Sequence, residues 1–238
     1  MKASQEDNIM LIIVDKKIPA KAKENLAGRG KIIELETEGI TYEAISGHPD
    51  IFFHQATTKL IIAPNLPEAF IGEIIKAGIS FIMGEQPVGE KYPSSSAYNA
   101  VSTSNLLIHN FRNTDSSITR ALEDADLIHV DQGYTRCNLL ALNNDRFITS
   151  DQGIARVLER FGKDCLFVDP RGIILEGYDH GFFGGCCGML GKEIYFLGSL
   201  KNFPEGEKVT EYAAKAGFGI IELCDGPLFD GGSILFIN

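Results

Sequence analysis

The sequence predicts an α/β fold of five pseudosymmetric strand–strand–helix–strand repeats closed into a ring, and three observations carry that prediction. A short apolar strand ending in a small polar residue returns five times, with ends at Asp15, Asn65, Asn110, Asp151 and Ser199. The ends lie roughly 41 to 50 residues apart, the drifting period of diverged structural repeats. Each strand runs directly into a segment of helical period. Finally, the chain closes on a sixth strand-like phrase, Gly231 to Asn238, with no helix after it. That phrase lacks the half that the first strand, Asn8 to Asp15, supplies, so pairing the two ends completes five units. Such a ring is expected to leave no bare edge strand and to enclose a central pocket.

The elements follow in order. Helices are expected at Pro19 to Ala27, Pro67 to Ala77, Asp115 to Glu123, Gln152 to Phe161 and Pro204 to Ala216. Proline and acidic residues suit helix starts, because proline lacks only an N–H that has no intrahelical partner there. Gly28, Gly78, Gly162 and Gly217 are expected to close four of the five helices in the left-handed cap conformation. A further strand follows each helix: KIIEL, ISFIM, ADLIHV, DCLFVD and GFGIIEL. A doubly wound parallel sheet also alternates strands and helices. Against it, VDKKIP stands where that fold carries a glycine-rich phosphate loop, and the paired strand runs between helices favour hairpins.

Composition sets the outer limits. A chain of 238 residues, 44% apolar, buries one sizeable core, and no linker or low-complexity stretch divides it, so residues 1–238 are read as a single domain. Apolar runs such as IMLIIV fall far short of the roughly 18 residues of a membrane span. The opening MKASQEDN is too polar and acidic for a signal peptide, so a cytoplasmic location and no membrane partner are expected. A formal charge of −10 disfavours nucleic acid, whose phosphates need clustered Lys and Arg, and suits a small cationic ligand. Five cysteines, an odd number without framework spacing, read as reduced thiols.

The segments Gln132-Gly133-Tyr134 through Cys137, Gly177-Tyr178-Asp179-His180-Gly181-Phe182-Phe183-Gly184-Gly185 and Asp230-Gly231-Gly232-Ser233, set on five ββαβ units, resemble the pentein or guanidine-modifying superfamily. Its members include arginine and agmatine deiminases, dimethylarginine dimethylaminohydrolases and glycine amidinotransferases. The resemblance implies a five-bladed α/β propeller with helices outside and hairpins inside. It also implies a narrow central pocket where a Cys thiolate attacks a guanidinium carbon, a His moves protons and carboxylates grip the N–H groups. His180 matches the family's histidine. Where the family carries its cysteine, this chain has Gly231-Gly232-Ser233-Ile234-Leu235, an apolar residue standing at the nucleophile position. Near the family's first acidic pair it has Phe52-Phe53-His54-Gln55, with Asp50 upstream.

The candidate site is therefore drawn from several segments. Gly184 to Gly188 is a run of glycines and cysteines, small side chains where backbone approaches something closely. Cys186 is the candidate nucleophile, on the same strand face as His180 if that stretch is extended; the alternative is a pair of small buried hydrophobes at Cys186 and Cys187. His180 reads as general acid and base or as a hydrogen-bonded turn residue. Asp131, Arg136 and Cys137 are expected to point toward the ring axis, the alternative being an Arg–Asp pair that organises the turn. Asp225 and Asp230 flank the last turn as carboxylates for a cation or as plain turn residues. His48 and His54 flank Asp50 and read as surface or pore-lining histidines rather than a metal site. The expected activity is cysteine-dependent hydrolysis or amidino transfer on a small guanidine or amidine, with no cofactor. The alternative is a non-catalytic binding protein on the same scaffold, as the ribosomal anti-association factors are.

Overall fold

The computed structural model describes residues 10–56 and 58–238. The MKASQEDN segment and the first two residues of the initial strand lie outside them. The described residues form five three-stranded sheets. The strands are β1 (Leu11–Asp15) and β2 (Lys31–Leu35), then β3 (Phe53–Gln55), β4 (Leu60–Ile62) and β5 (Phe81–Met83). They continue with β6 (Val101–Ser102), β7 (Leu106–His109), β8 (Asp126–His129), β9 (Leu139–Ala141), β10 (Arg146–Thr149) and β11 (Asp164–Phe167). The last four are β12 (Cys187–Leu190), β13 (Glu193–Phe196), β14 (Gly219–Glu222) and β15 (Leu235–Ile237). The helices are α1 (Ala20–Ala27), α2 (Pro49–Phe52), α3 (Glu68–Lys76), α4 (Ser116–Ala121), α5 (Thr135–Asn138), α6 (Gln152–Arg160) and α7 (Gly206–Lys215).

Every blade repeats one plan. An inner strand pairs antiparallel with a middle strand, and a helical crossover returns the chain to an outer strand parallel to the middle one. The first blade takes its inner strand from the other end of the chain: Leu11 pairs with Ile237 and Ile13 with Leu235, which closes the ring. The middle strands are the continuous apolar runs legible in the sequence, buried on both faces. The outer strands are largely half-buried or exposed. Each sheet therefore keeps an outer edge, and closure joins the blades without abolishing edges, contrary to the expectation for a seamless ring.

The long helices pack their apolar stripes onto the sheets through Leu26, Ile74, Ile118, Leu158 and Val209, all fully buried. Each such side chain contributes about 1.5–3 kcal/mol. The recurring polar residue at the strand ends turns the chain into the next element. Asp151 accepts from Ile154 N at 2.8 Å, Asp15 from Lys17 N at 2.6 Å, and Ser199 from Lys201 N at 3.3 Å. Gly78, Gly162 and Gly217 close their helices with φ near +70° to +78°. Gly28 differs: its φ is −75°, and the chain simply continues right-handed out of α1.

The five inner strands converge. Side chains from β3, β6, β9, β12 and β15 all line one cavity of about 250 Å³, the lower mouth of the ring. At the other end stand the segments that lead into those strands, and these carry the site.

Candidate functional site

The segments that enter the inner strands place Asp50, Asn99, Cys137 and Ser233 together as a buried polar plug. Asp50 sits on α2 and Cys137 on α5, single helical turns that point their side chains inward before the strand begins. The Cys137 thiol donates to Asp50 Oδ2 at 3.2 Å, and the Ser233 hydroxyl donates to the same oxygen at 2.9 Å. Asn99 Nδ2 donates to Cys137 Sγ at 3.2 Å and to the Asp50 carbonyl at 3.0 Å, while Asn99 Oδ1 accepts from Cys137 N at 3.1 Å. Ser233 is held at φ 78°, the one non-glycine residue with positive φ among the described residues. That conformation costs about 1–2 kcal/mol, the kind of strain that persists where a site over-determines the backbone.

Above the plug lies a second cavity of about 180 Å³, with Cys137, His48 and Asp230 among its lining and Tyr42, Tyr134, Tyr178, His180 and Phe182 around it. The aromatic rings brace one another. Tyr42 and Tyr178 stand 6.2 Å apart between centroids, Tyr42 donates to Tyr134 Oη at 3.3 Å, and Ser95 and Tyr134 share a 2.6 Å hydrogen bond. His180 Nδ1 donates to the Gly181 carbonyl at 2.9 Å, which leaves Nε2 as the nitrogen able to take or give a proton. Among the described residues, no Lys or Arg lines this cavity. His48, Asp50 and Cys137 bring one nitrogen, one oxygen and one sulfur within 4.8 Å of one another.

Burial shifts Asp50, Cys137, Asp230 and His48 each toward the neutral form. Burial, reinforced by the charge of Asp50, pushes the Cys137 thiol well above the usual thiol range. Burial raises Asp50 too, against the pull of Arg136 and the donated hydrogen bonds. Asp230 is pushed up to about 7 by burial and the Asp50 charge, even though Phe182 N and Gly232 N donate to it at 2.8 and 3.1 Å. Burial lowers His48 to about 3, so its imidazole is neutral. A cation entering here meets the Asp230 carboxyl group on the wall; Asp50, hydrogen-bonded to Cys137, lines the lower cavity instead.

The residues singled out in the sequence divide into two sets. Asp50, Asp230 and His180 meet around the plug and upper cavity. Arg136 lies beneath, donating to the Gly184 carbonyl at 2.8 Å and the Cys187 carbonyl at 3.3 Å and lining the lower cavity with Asp50. Cys186 does not open to either cavity. Gly184–Cys186 is a 3-10 turn, not extended strand, so the parity that would align Cys186 with His180 is broken. Its thiol donates to the Phe182 carbonyl at 3.2 Å within the apolar cluster of Leu140, Ile148, Phe183 and Phe196. Asp131 projects from the rim with its side chain 92% exposed, near Arg112 and His129 rather than toward the axis. Asp225 is exposed in the last outer turn. His48 and His54 are both buried; His48 lines the upper cavity, in line with the pore-lining reading, and His54 lines neither cavity.

Ser233 and the tyrosines are not singled out by the sequence as site residues, whereas Asn99 belongs to the Pro93–Asn99 turn, whose hydroxyls and amide read as lining for a polar pocket or as solvent-facing groups. The available signal was the repeat itself: Asp50, Asn99, Cys137 and Ser233 each occupy the last residues before an inner strand.

No curated protein matches the sequence. Residues 13–235 match the model of a family of unknown function, DUF6873. Among solved structures, similarity extends to SxtG, an amidinotransferase of the saxitoxin biosynthetic pathway of Microseira wollei. It is 12% identical with a TM-score of 0.56, and the match covers 97% of this chain and 94% of that one. A DDAH from Pseudomonas aeruginosa in complex with citrulline is 10% identical with a TM-score of 0.54, covering 90% and 91% of the two chains. An agmatine deiminase from C. jejuni with substrate bound is 10% identical with a TM-score of 0.56, covering 87% and 76%. The shared architecture is the pentein fold, a five-bladed pseudosymmetric α/β propeller.

Proposed function

The chain belongs to DUF6873, a family of unknown function, and from its site we propose cysteine-dependent chemistry on the C–N bond of a small guanidine or amidine, with Cys137 as the nucleophile. One observation carries this reading: Cys137 is the cysteine that lines the upper cavity, and its thiol already donates to a carboxylate at 3.2 Å. The pentein neighbours that act on amidino groups support the substrate class.

The steps follow from the geometry. A planar cation enters beneath the tyrosines, whose ring faces attract it. Its N–H groups are met by the Asp230 carboxylate on the cavity wall, and planar N–H pairs suit carboxylates. The positive charge favours ionisation of the carboxyl groups; the thiol then gives its proton to the Asp50 carboxylate, which becomes neutral, while Asp230 keeps its charge opposite the cation. The thiolate attacks the amidino carbon, and His180 carries a proton to the departing amine. Water or an acceptor amine then releases the amidino group from sulfur, giving hydrolysis or transfer. The cavity of about 180 Å³ limits the ligand to an amidino group with a short tail.

A non-catalytic binding role is the second reading. It is favoured by the free thiol itself, which burial and the Asp50 charge keep protonated, with no cation among the causes that act on it.

The test is a panel of guanidino and amidine compounds, including agmatine, arginine, guanidinoacetate and acetamidine, followed by amine release and product mass. Turnover that disappears in Cys137→Ser and survives in Cys186→Ser is the expected result. Ligand-induced thermal stabilisation without turnover selects the binding reading. Neither turnover nor stabilisation across the panel overturns both.

A further inference from the structure

We propose that His48, Asp50 and Cys137 form a binding site for a single zinc-type divalent ion at the propeller axis. Two buried polar atoms in this cluster have no hydrogen-bond partner, His48 Nδ1 and Asp50 Oδ1. Both residues are nearly inaccessible, at 2% and 1% exposure. A buried polar atom left unpaired costs about 1–3 kcal/mol, so two such atoms beside a thiol call for a ligand that satisfies them together.

The donor set selects the ion. An imidazole nitrogen, a carboxylate oxygen and a thiolate sulfur are zinc ligands, whereas Mg²⁺ and Ca²⁺ take oxygen alone. Bond lengths of about 2.0–2.3 Å place the ligand atoms of a tetrahedral ion about 3.3–3.8 Å apart. One nitrogen of His48, one carboxylate oxygen of Asp50 and Cys137 Sγ lie within 4.8 Å of one another, so small side-chain rotations bring three ligands to one ion. Three protein ligands leave a fourth position, with the Ser233 hydroxyl already on the other oxygen of Asp50. His48 is held in place by Gly232, where an added Cβ would lie 2.2 Å from the His48 Cβ.

Binding replaces the S–H bond of Cys137 with an S–metal bond, and the proton leaves to buffer. The site itself does not depend on the guanidine chemistry. Its regulatory consequence does rest on that reading: an ion on Cys137 withholds the nucleophile.

The experiment is titration of chelator-treated full-length protein with Co²⁺ as a coloured probe, then displacement by Zn²⁺, in the absence of any guanidino compound. One equivalent of Co²⁺ with a thiolate charge-transfer absorption, bleached by Zn²⁺, is expected. Cys137→Ser abolishes the absorption, His48→Gln weakens binding by more than about 100-fold, and Cys224→Ser leaves both unchanged. Absence of a stoichiometric thiolate band in the unsubstituted protein overturns the site. So does a band that survives Cys137→Ser, whatever the fold of the variants. A zinc site with no guanidino turnover in the metal-free protein would refute the proposed activity alone, and turnover without a band would refute the ion alone.

Discussion

Gly184→Ala probes how the site is assembled. A Cβ at Gly184 would stand 2.2 Å from the Arg136 carbonyl oxygen, 2.9 Å from the Cys137 carbonyl oxygen and 2.9 Å from Leu139 N. All three are backbone atoms of the turn that aims Cys137, so no flexible side chain can yield. Opening the tightest of these gaps to an ordinary contact moves that backbone by about 1 Å, and overpacking of this kind costs about 1–3 kcal/mol. For a chain of this size the loss corresponds to a fall in Tm of about 2–12 °C. The same displacement takes Cys137 off its position, worth about 100-fold in turnover if it is the nucleophile. The assay is thermal unfolding by circular dichroism together with the rate of Cys137 alkylation, located by peptide mapping. Gly72→Ala is the control: nothing lies within 4 Å of the added carbon, and the residue is interior to α3. It should stabilise by about 0.5–1 kcal/mol. A Gly184→Ala protein with unchanged Tm and unchanged Cys137 protection would refute the claim that this close approach positions the thiol.

Two further outcomes are expected. Burial raises Asp15 to about 6 from 3.8, so below 3.8 the residue is protonated in both states and costs nothing. Between 3.8 and about 6 the unfolded chain ionises while the native residue stays protonated, so about 3 kcal/mol of stability is lost across that window and no more above it, where the native state carries the buried charge. Asp15→Asn keeps an acceptor for Lys17 N and avoids that charge. Denaturant unfolding should show it equal to the parent near pH 4 and more stable by up to about 3 kcal/mol at pH 8; no gain at pH 8 would mean that Asp15 ionises without penalty. Tyr134→Phe removes the hydroxyl that joins Ser95 and Tyr42, and urea unfolding should register a loss of about 1 kcal/mol.

Much of the architecture was legible because it rests on local periodicity. The middle strands announce themselves as unbroken apolar runs, and the five long helices begin and end within about two residues of their proline, acidic and glycine signals. The meeting of the two chain ends followed from counting half-units, and Leu11 does pair with Ile237. The site was harder, because its residues are neighbours only after the ring closes. Asp50, Asp230 and His180 could be picked as polar residues in turns, but nothing local ties Asn99 or Ser233 to Cys137. The choice of Cys186 failed on conformation. Strand alternation puts it beside His180, yet the glycines before it let the chain take a 3-10 turn, and the thiol goes into the core. Asp131 belongs to the same turn segment as Cys137 but precedes the inward-pointing α5, so it remains at the rim. Single-turn helices such as α2 and α5 are too short to leave a periodic signature.

The most direct test of Cys137 as the nucleophile of a cation-binding site compares its alkylation by chloroacetamidine and by neutral chloroacetamide, with each cysteine followed by peptide mass mapping. The two reagents differ in charge at nearly equal size, so a carboxyl-lined aromatic cavity should select the first. Faster modification of Cys137 by the amidine, slowed by free guanidinium and absent at Cys165 and Cys224, is the predicted result. If Cys137 stays unmodified by both reagents, or reacts with them equally and without protection by guanidinium, it is not the thiol of a site built for amidino cations.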